Sequence, residues 1–224
     1  MENKKTILKA ISVLVNSKNI ILNQLREVIK NGSFSYRTFG VSIEPYISDI
    51  IIKIFKRNNL IKNKRGYKLA PDKNYFPDFE LKTTPSLAIE YKSGNEIKLD
   101  RGKWVLCKNS NNDMGTLNTW LTKIKKFGSE NIYYVFVIYK FNSVTKEITD
   151  IQIAPFYKFI GLNKAGLLSY REKDGNLRPK DFFEKSPITS FEQFNKLFEK
   201  TIIYRSKRII KKHRLILKSL RSKK

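Results

Sequence analysis

Apolar residues recur every three or four positions at the start of the chain: Ile7, Leu8, Ile11, Leu14 and Val15, then Ile20, Ile21, Leu25, Val28 and Ile29. That spacing predicts two amphipathic helices within residues 6–30, broken at Asn16-Ser17-Lys18-Asn19 and stopped at Asn31-Gly32-Ser33. A third helix is predicted over 41–57 from Ile43, Ile47, Ile50, Ile51, Ile54 and Phe55, with Pro45 in its first turn, where a missing N–H is harmless. The apolar face of residues 6–30 reads as core or dimer contact. The period then drops to two. Residues 75–94, Y-F-P-D-F-E-L-K-T-T-P-S-L-A-I-E-Y-K-S-G, predict two short strands joined by a turn at Thr84-Pro85-Ser86. Leu87, Ile89 and Tyr91 share one face of the second strand; Ala88, Glu90 and Lys92 share the other.

Further strands are predicted at Tyr67-Lys68-Leu69, at 103–107 and at 148–154, with a loop at 94–100 and a short helix over 119–127. Residues 131–141, N-I-Y-Y-V-F-V-I-Y-K-F, form a nearly continuous apolar run, expected of a strand buried on both faces. Residues 169–180 are polar and basic, and read as an exposed loop. Ser190-Phe191-Glu192-Gln193 is a capping box opening a last helix with an apolar face of Phe191, Phe194, Leu197, Phe198 and Ile202, which Ile209 would extend. The order of elements predicts an α/β (α+β) fold, a central mixed β-sheet flanked by helices.

The length of 224 residues fits one domain, 1–224. Its N-terminal helical part, about 1–60, is expected to serve dimerisation, and about 190–224 to form a basic helix or tail. No apolar run approaches the roughly 20 residues that span a bilayer, and no signal peptide is evident, so a membrane is not an expected partner. The single cysteine, Cys107, allows no internal disulfide and fits a cytoplasmic, intracellular protein. The single histidine, His213, argues against a His-based zinc site or a Ser-His-Asp triad. Charge changes the picture most. Lys and Arg number 45 against 20 acids, a net +25, which implies a polyanionic partner, most simply nucleic acid. Residues 205–224 hold ten Lys and Arg and no acid, and read either as a solvated tail or as a helix or arm along phosphates.

Candidate chemistry lies in 75–94. A turn centred near Pro85 would set Asp78 opposite Lys92, with Glu90 one pair further in. Carboxylates are hard oxygen ligands for a cation such as Mg²⁺, and a lysine beside them can orient or deprotonate an attacking water. The main-chain carbonyl of Tyr91 is a plausible further ligand. Glu44 has two readings: a helix N-terminal acid favoured by the macrodipole, or a third carboxylate facing the site. Asn176 and Arg178, in the 169–180 loop with Lys180, are candidates for base contact, since Asn can read adenine and Arg guanine. Lys73 and Asn74 are placed along the minor groove. Lys103, Thr116 and Asn118 are placed on the DNA backbone.

Pro77-Asp78, a gap, then Glu90-Tyr91-Lys92 resembles the PD-(D/E)xK nuclease superfamily. The order of elements over roughly 41–204 is similar to the EcoRV-type branch of type II restriction endonucleases: Glu44 on a helix, Tyr75-Phe76-Pro77-Asp78-Phe79 opening a strand, then Ala88-Ile89-Glu90-Tyr91-Lys92. Glu90 stands where the branch usually has Asp, and one extra residue separates Tyr75 from Pro77. The resemblance implies a restriction-endonuclease-like fold and a prokaryotic homodimer straddling a short palindrome in double-stranded DNA. It implies Mg²⁺-dependent hydrolysis, with one or two ions per active site, leaving 5′-phosphates and often blunt ends. Two rivals stand beside it. Glu80-Leu81-Lys82-Thr83 resembles the box of mismatch-repair nicking endonucleases, with Asp72 as the only upstream acid available. A basic nucleic-acid-binding module would need no catalysis at all.

Overall fold

The computed structural model describes residues 2–35, 38–72, 75–98, 104–106, 114–142, 145–180 and 184–221. Lys73, Asn74, Lys103 and Cys107 lie outside the described residues. The chain opens with α1 (Glu2–Asn16) and α2 (Lys18–Asn31). They meet at Ser17, where main-chain bonding continues from Val13 to Ser17 to Ile21, so the break does not separate the helices. α3 (Phe39–Arg57) starts earlier than its apolar spacing suggests. Pro45 therefore lies inside α3 and not in its first turn. The N–H it lacks would have met the carbonyl of Val41, a residue on the exposed side, where water can take that acceptor.

The sheet has the order β1-β2-β3-β5-β6, built from β1 (Tyr67–Leu69), β2 (Phe79–Leu81), β3 (Leu87–Lys98), β5 (Ile132–Phe141) and β6 (Lys146–Pro155). β4 (Trp104–Leu106) pairs with the far end of β3. β3 and β5 are parallel and the other pairs antiparallel, so the sheet is mixed. The loop expected over 94–100 is instead strand as far as Lys98. Gly94 and Asn95 pair with Ile138 and Tyr139, and the Asn95 amide bonds both the N–H and the carbonyl of Phe141. Pairing with a strongly β-forming neighbour overrides the local signal of Gly94.

Alternation divides the core into two layers. Leu87, Ile89 and Tyr91 of β3, with Val135 and Val137 of β5, pack against α1, α2 and α3. Ala88, Ile132, Tyr134, Phe136 and Ile138 face the other way, against α4 (Leu117–Phe127), the turn at Phe156–Phe159 and α5 (Phe191–Arg221). β5 reads as unbroken apolar sequence because both of its faces are covered. The apolar stripe of α1 and α2 is taken up by this core, through Ile7, Leu14, Ile21 and Leu25. Leu8, Val15 and Ile20 of the same helices stay exposed, outside this core.

α5 is capped as the sequence suggests, with Ser190 Oγ accepting the Gln193 N–H at 3.2 Å. Gln193 Oε1 returns to the Thr189 N–H at 2.8 Å, one residue earlier than in the usual box. The helix continues to Arg221, so the basic stretch after Arg205 is helical as far as it is described. No helix among the described residues is long and apolar enough to cross a membrane.

Gly40 sets how closely α3 approaches β3. A Cβ there would lie 2.4 Å from Ser93 Oγ. Gly40→Ala is expected to be worth about 1 kcal/mol more, through helix propensity, in a Ser93→Ala background than in the wild type, where the overlap offsets that gain. Urea denaturation of the four proteins of the cycle measures the coupling. Equal effects in both backgrounds would show that the approach is looser than described.

Candidate active site

β2 and β3 pair as Phe79↔Ile89, Glu80↔Ala88 and Leu81↔Leu87. The hairpin therefore centres on Thr84 and not on Pro85. Carried one step further, this register sets Asp78 across from Glu90 and not from Lys92. The connection over 82–86 is closed by its own side chains: Thr83 Oγ1 donates to the Pro85 carbonyl at 2.6 Å and Ser86 Oγ to the Thr83 carbonyl at 3.3 Å. The shift brings the two acids closer than the sequence reading had them.

β2 stops pairing with β3 at Ile89, and the next outward main-chain donor, the Tyr91 N–H, is met by a side chain. Asp78 Oδ2 accepts it at 2.6 Å. The main chain of Asp78 is held from the opposite side, its carbonyl accepting the Ala70 N–H at 3.0 Å. In a strand the carbonyl of a residue points to the same edge as its N–H, so the Tyr91 carbonyl also faces Asp78. Glu90 is 8% exposed. Its Oε1 lies 2.9 Å from Lys92 Nζ, and its Oε2 is buried with no hydrogen-bond partner.

Glu44 reaches this cluster from α3. Gly40, Glu44 and Ser48 recur every fourth residue, so they form one stripe on the helix. Ser48 Oγ donates to Tyr91 Oη at 3.1 Å, and Gly40 lies against Ser93. Glu44 sits between these two contacts. α3 begins at Phe39 and has no acid in its first turn, so the helix-terminus reading of Glu44 does not hold. Glu44, Ser48, Asp72, Asp78 and Tyr91 line a common cleft of about 320 Å³. A larger cleft of about 650 Å³ between α2 and α3 is lined by Arg26, Glu27 and Tyr46 and is remote from this chemistry.

The charges are tightly coupled. Burial, and then the Glu90 charge, push Asp78 up to about 7, against the Tyr91 N–H and Lys92. Burial also raises Glu44, with Lys92 opposing and Glu90 adding. Burial pushes the Lys92 ammonium down, but the charge and hydrogen bond of Glu90, with Asp78 and Glu44, more than offset it. Lys92 therefore stays protonated at neutral pH and acts here as a donor and a positive charge, not as a base. Among the described residues no three acids, imidazoles or thiols converge into a ready-made coordination sphere. The donor set still fits a hard divalent cation. It consists of oxygens alone, and one of them, Glu90 Oε2, is a buried acceptor with nothing bound to it.

The alternative pair is arranged differently. Lys82 is exposed, and Glu80 lies 3.7 Å from Lys126 on α4. Among the candidate DNA contacts, Thr116 and Asn176 are brought together by a β-bridge. The 169–180 loop docks on the start of α4, with the Leu117 N–H on the Gly175 carbonyl at 3.0 Å and the Leu177 N–H on the Gly115 carbonyl at 2.9 Å. Thr116 caps α4 and Asn118 lies exposed in its first turn, so three candidates gather at the positive end of a helix. Asn176 Oδ1 is a buried acceptor without a partner. Arg178 is half-buried in the same loop, and the Lys180 ammonium is turned to the Glu184 carbonyl.

No protein-family model and no curated protein matches the chain. Solved structures do. NlaIV restriction endonuclease superposes with a TM-score of 0.54 at 12% identity, covering 77% of this chain and 67% of that one. The fold is restriction-endonuclease-like. At that identity the likeness speaks to architecture alone, and the more specific resemblance to the EcoRV-type branch rests on the residues quoted for it.

Two members of the candidate site escaped the sequence reading. Lys123 of α4 interacts electrostatically with Glu90, Lys92 and Asp78, and burial pushes it down to about 8. Its signal was a lysine one turn from the buried Trp120 of an otherwise apolar stripe. Tyr134 stands beside Glu90 in the parallel register, and its buried hydroxyl has no hydrogen-bond partner. Nothing in an apolar run of aromatic residues marks that hydroxyl out.

Proposed function

We propose that the protein is a type II restriction endonuclease that hydrolyses both strands of double-stranded DNA at a short palindromic site, as a homodimer of the EcoRV-type branch. The observation that carries this reading is the convergence of Asp78, Glu90, Lys92 and Glu44 where β3 runs on beyond the end of β2. The net charge of +25 and the gathering of Thr116, Asn118 and Asn176 support DNA as the substrate.

Asp78, Glu90 and the Tyr91 carbonyl would hold Mg²⁺, one or two ions per active site. When bound, the ion supplies Lewis-acid polarisation of a phosphate oxygen and lowers the pKa of a water. Lys92 orients the attacking water and stabilises negative charge as it builds on phosphorus. Water oxygen joins phosphorus in line as the P–O3′ bond breaks; the attacking water gives up a proton to solvent and O3′ takes one up from solvent, leaving a 5′-phosphate and a 3′-hydroxyl. Glu44 adds a carboxylate that tunes the charge beside Lys92.

Plasmid cleavage in Mg²⁺ by Lys92→Ala and Lys82→Ala separates this reading from the nicking alternative. Loss in the first with retention in the second supports it. The reverse pattern moves the centre to Glu80 and Lys82. Salt-sensitive binding with no cleavage by the wild type leaves only the binding module.

A further inference from the structure

We propose that Lys123 is a second cationic contact for the DNA strand being cut, its ammonium holding a non-bridging phosphate oxygen from the α4 side of the sheet. The proposal rests on the nuclease reading above and adds a residue which that reading does not use. Leu117, Trp120 and Phe127 form the buried face of α4, and Lys123 stands beside that face. Its Nζ lies 3.7 Å from the ring centroid of Phe76 and 4.8 Å from that of Trp120. Two ring faces hold the ammonium in place without neutralising it, so its full charge remains for an outside anion.

The placement follows from the catalytic segment. Phe76 immediately precedes Pro77 and Asp78, so one stretch of chain supplies both the acid and the ring that holds the lysine. Gly115, at φ +88°, flanks the ammonium from the other side. A Cβ there would lie 3.5 Å from Lys123 Nζ and 3.2 Å from Trp120 Nε1. The absence of that side chain leaves room beside the charge. The same Gly115 receives the Leu177 N–H of the 169–180 loop, so Lys123 sits between the carboxylate cluster and the loop proposed to read bases. The charges of Glu90, Lys92 and Asp78 all act on it. Burial disfavours its charged form, a penalty that an arriving phosphate would relieve.

A purely structural role would need only the aliphatic stem. Lys123→Met keeps that stem against Phe76 and Trp120 and removes the charge; Lys123→Arg keeps a charge. The experiment measures binding of a fluorescent duplex carrying the cleaved site, with Ca²⁺ in place of Mg²⁺, across a salt series, together with KM and kcat in Mg²⁺. The expected result is affinity at low salt about tenfold weaker for Lys123→Met, with the log–log salt slope shallower by about 0.9 per active site and KM raised, and all three restored in Lys123→Arg. An unchanged affinity and slope in a stably folded Lys123→Met overturns the proposal while wild-type cleavage leaves the nuclease reading standing. If Lys123→Met does not fold, Lys123→Gln is read in the same way. A wild type that cleaves no duplex removes both readings together.

Discussion

Asp78→Asn is expected to lose cleavage by about 10²–10³-fold or more and yet to be more stable than the wild type at pH 8 without divalent cation. The carboxyl ordinarily titrates at 3.8, and in the folded protein burial and the Glu90 charge push it up to about 7. Between those values the folded protein keeps a proton that the unfolded chain has released. The contribution of this group to stability is therefore fully present below about pH 4 and is lost as pH rises through about 7. Asparagine cannot ionise, and its Oδ1 can still accept the Tyr91 N–H, so the variant should show a flatter dependence on pH. Mg²⁺ should raise the wild-type melting temperature at pH 8 and leave that of Asp78→Asn nearly unmoved. Thermal unfolding at pH 5 and pH 8, with and without Mg²⁺, checks both statements. A variant with the same pH slope as the wild type would mean that Asp78 is ordinarily ionised and not a strained member of the cluster.

Lys92→Ala is expected to be inactive and, in contrast, destabilised by about 3 kcal/mol or more. The Lys92 and Glu90 side chains are only 19% and 11% exposed, and they pair at 2.9 Å. Removing the ammonium leaves a carboxylate buried with neither oxygen partnered, because Oε2 already lacks a hydrogen bond. A divalent cation should restore much of the loss by supplying positive charge at the same oxygens, so the variant should gain more from Mg²⁺ than the wild type does. Urea denaturation with and without Mg²⁺ is the measurement. Retained stability in the absence of cation would show that the pair is not held together by charge. The opposite signs for Asp78 and Lys92 express one fact: the carboxylates of the cluster carry more negative charge than the ammonium paired with Glu90 balances, a common compromise between stability and activity.

Much of this was legible in the sequence because the relevant signals are local. The alternation around Glu90 places Leu87, Ile89 and Tyr91 in one core layer and Ala88 in the other, as the structure has them. The apolar run of 131–141 gave the central strand, and the acid–lysine spacing of Glu90 and Lys92 brought the two onto one face. What was not legible depends on the closure of chain segments upon one another. The register of the hairpin turns on hydroxyl bonds within 82–86, which moved the partner of Asp78 from Lys92 to Glu90. Gly94 behaved as strand because β5 paired with it. Pro45 fell inside α3 because Thr38 and Phe39 began the helix early. Lys123 escapes the sequence pattern because α4 is far along the chain from residues 75–94, and the lysine meets Phe76 only when the two segments pack together.

The central claim is that Asp78, Glu90 and Lys92 form the hydrolytic centre of a site-specific DNA endonuclease. The most direct test is digestion of a long DNA of known sequence by the purified protein, with Mg²⁺ or with EDTA, followed by sequencing of the ends. The account predicts discrete fragments in Mg²⁺ only, with 5′-phosphate ends that fall at one short palindrome. Intact DNA under both conditions, from a folded protein that binds it, would contradict the account and leave the cluster without the chemistry assigned to it.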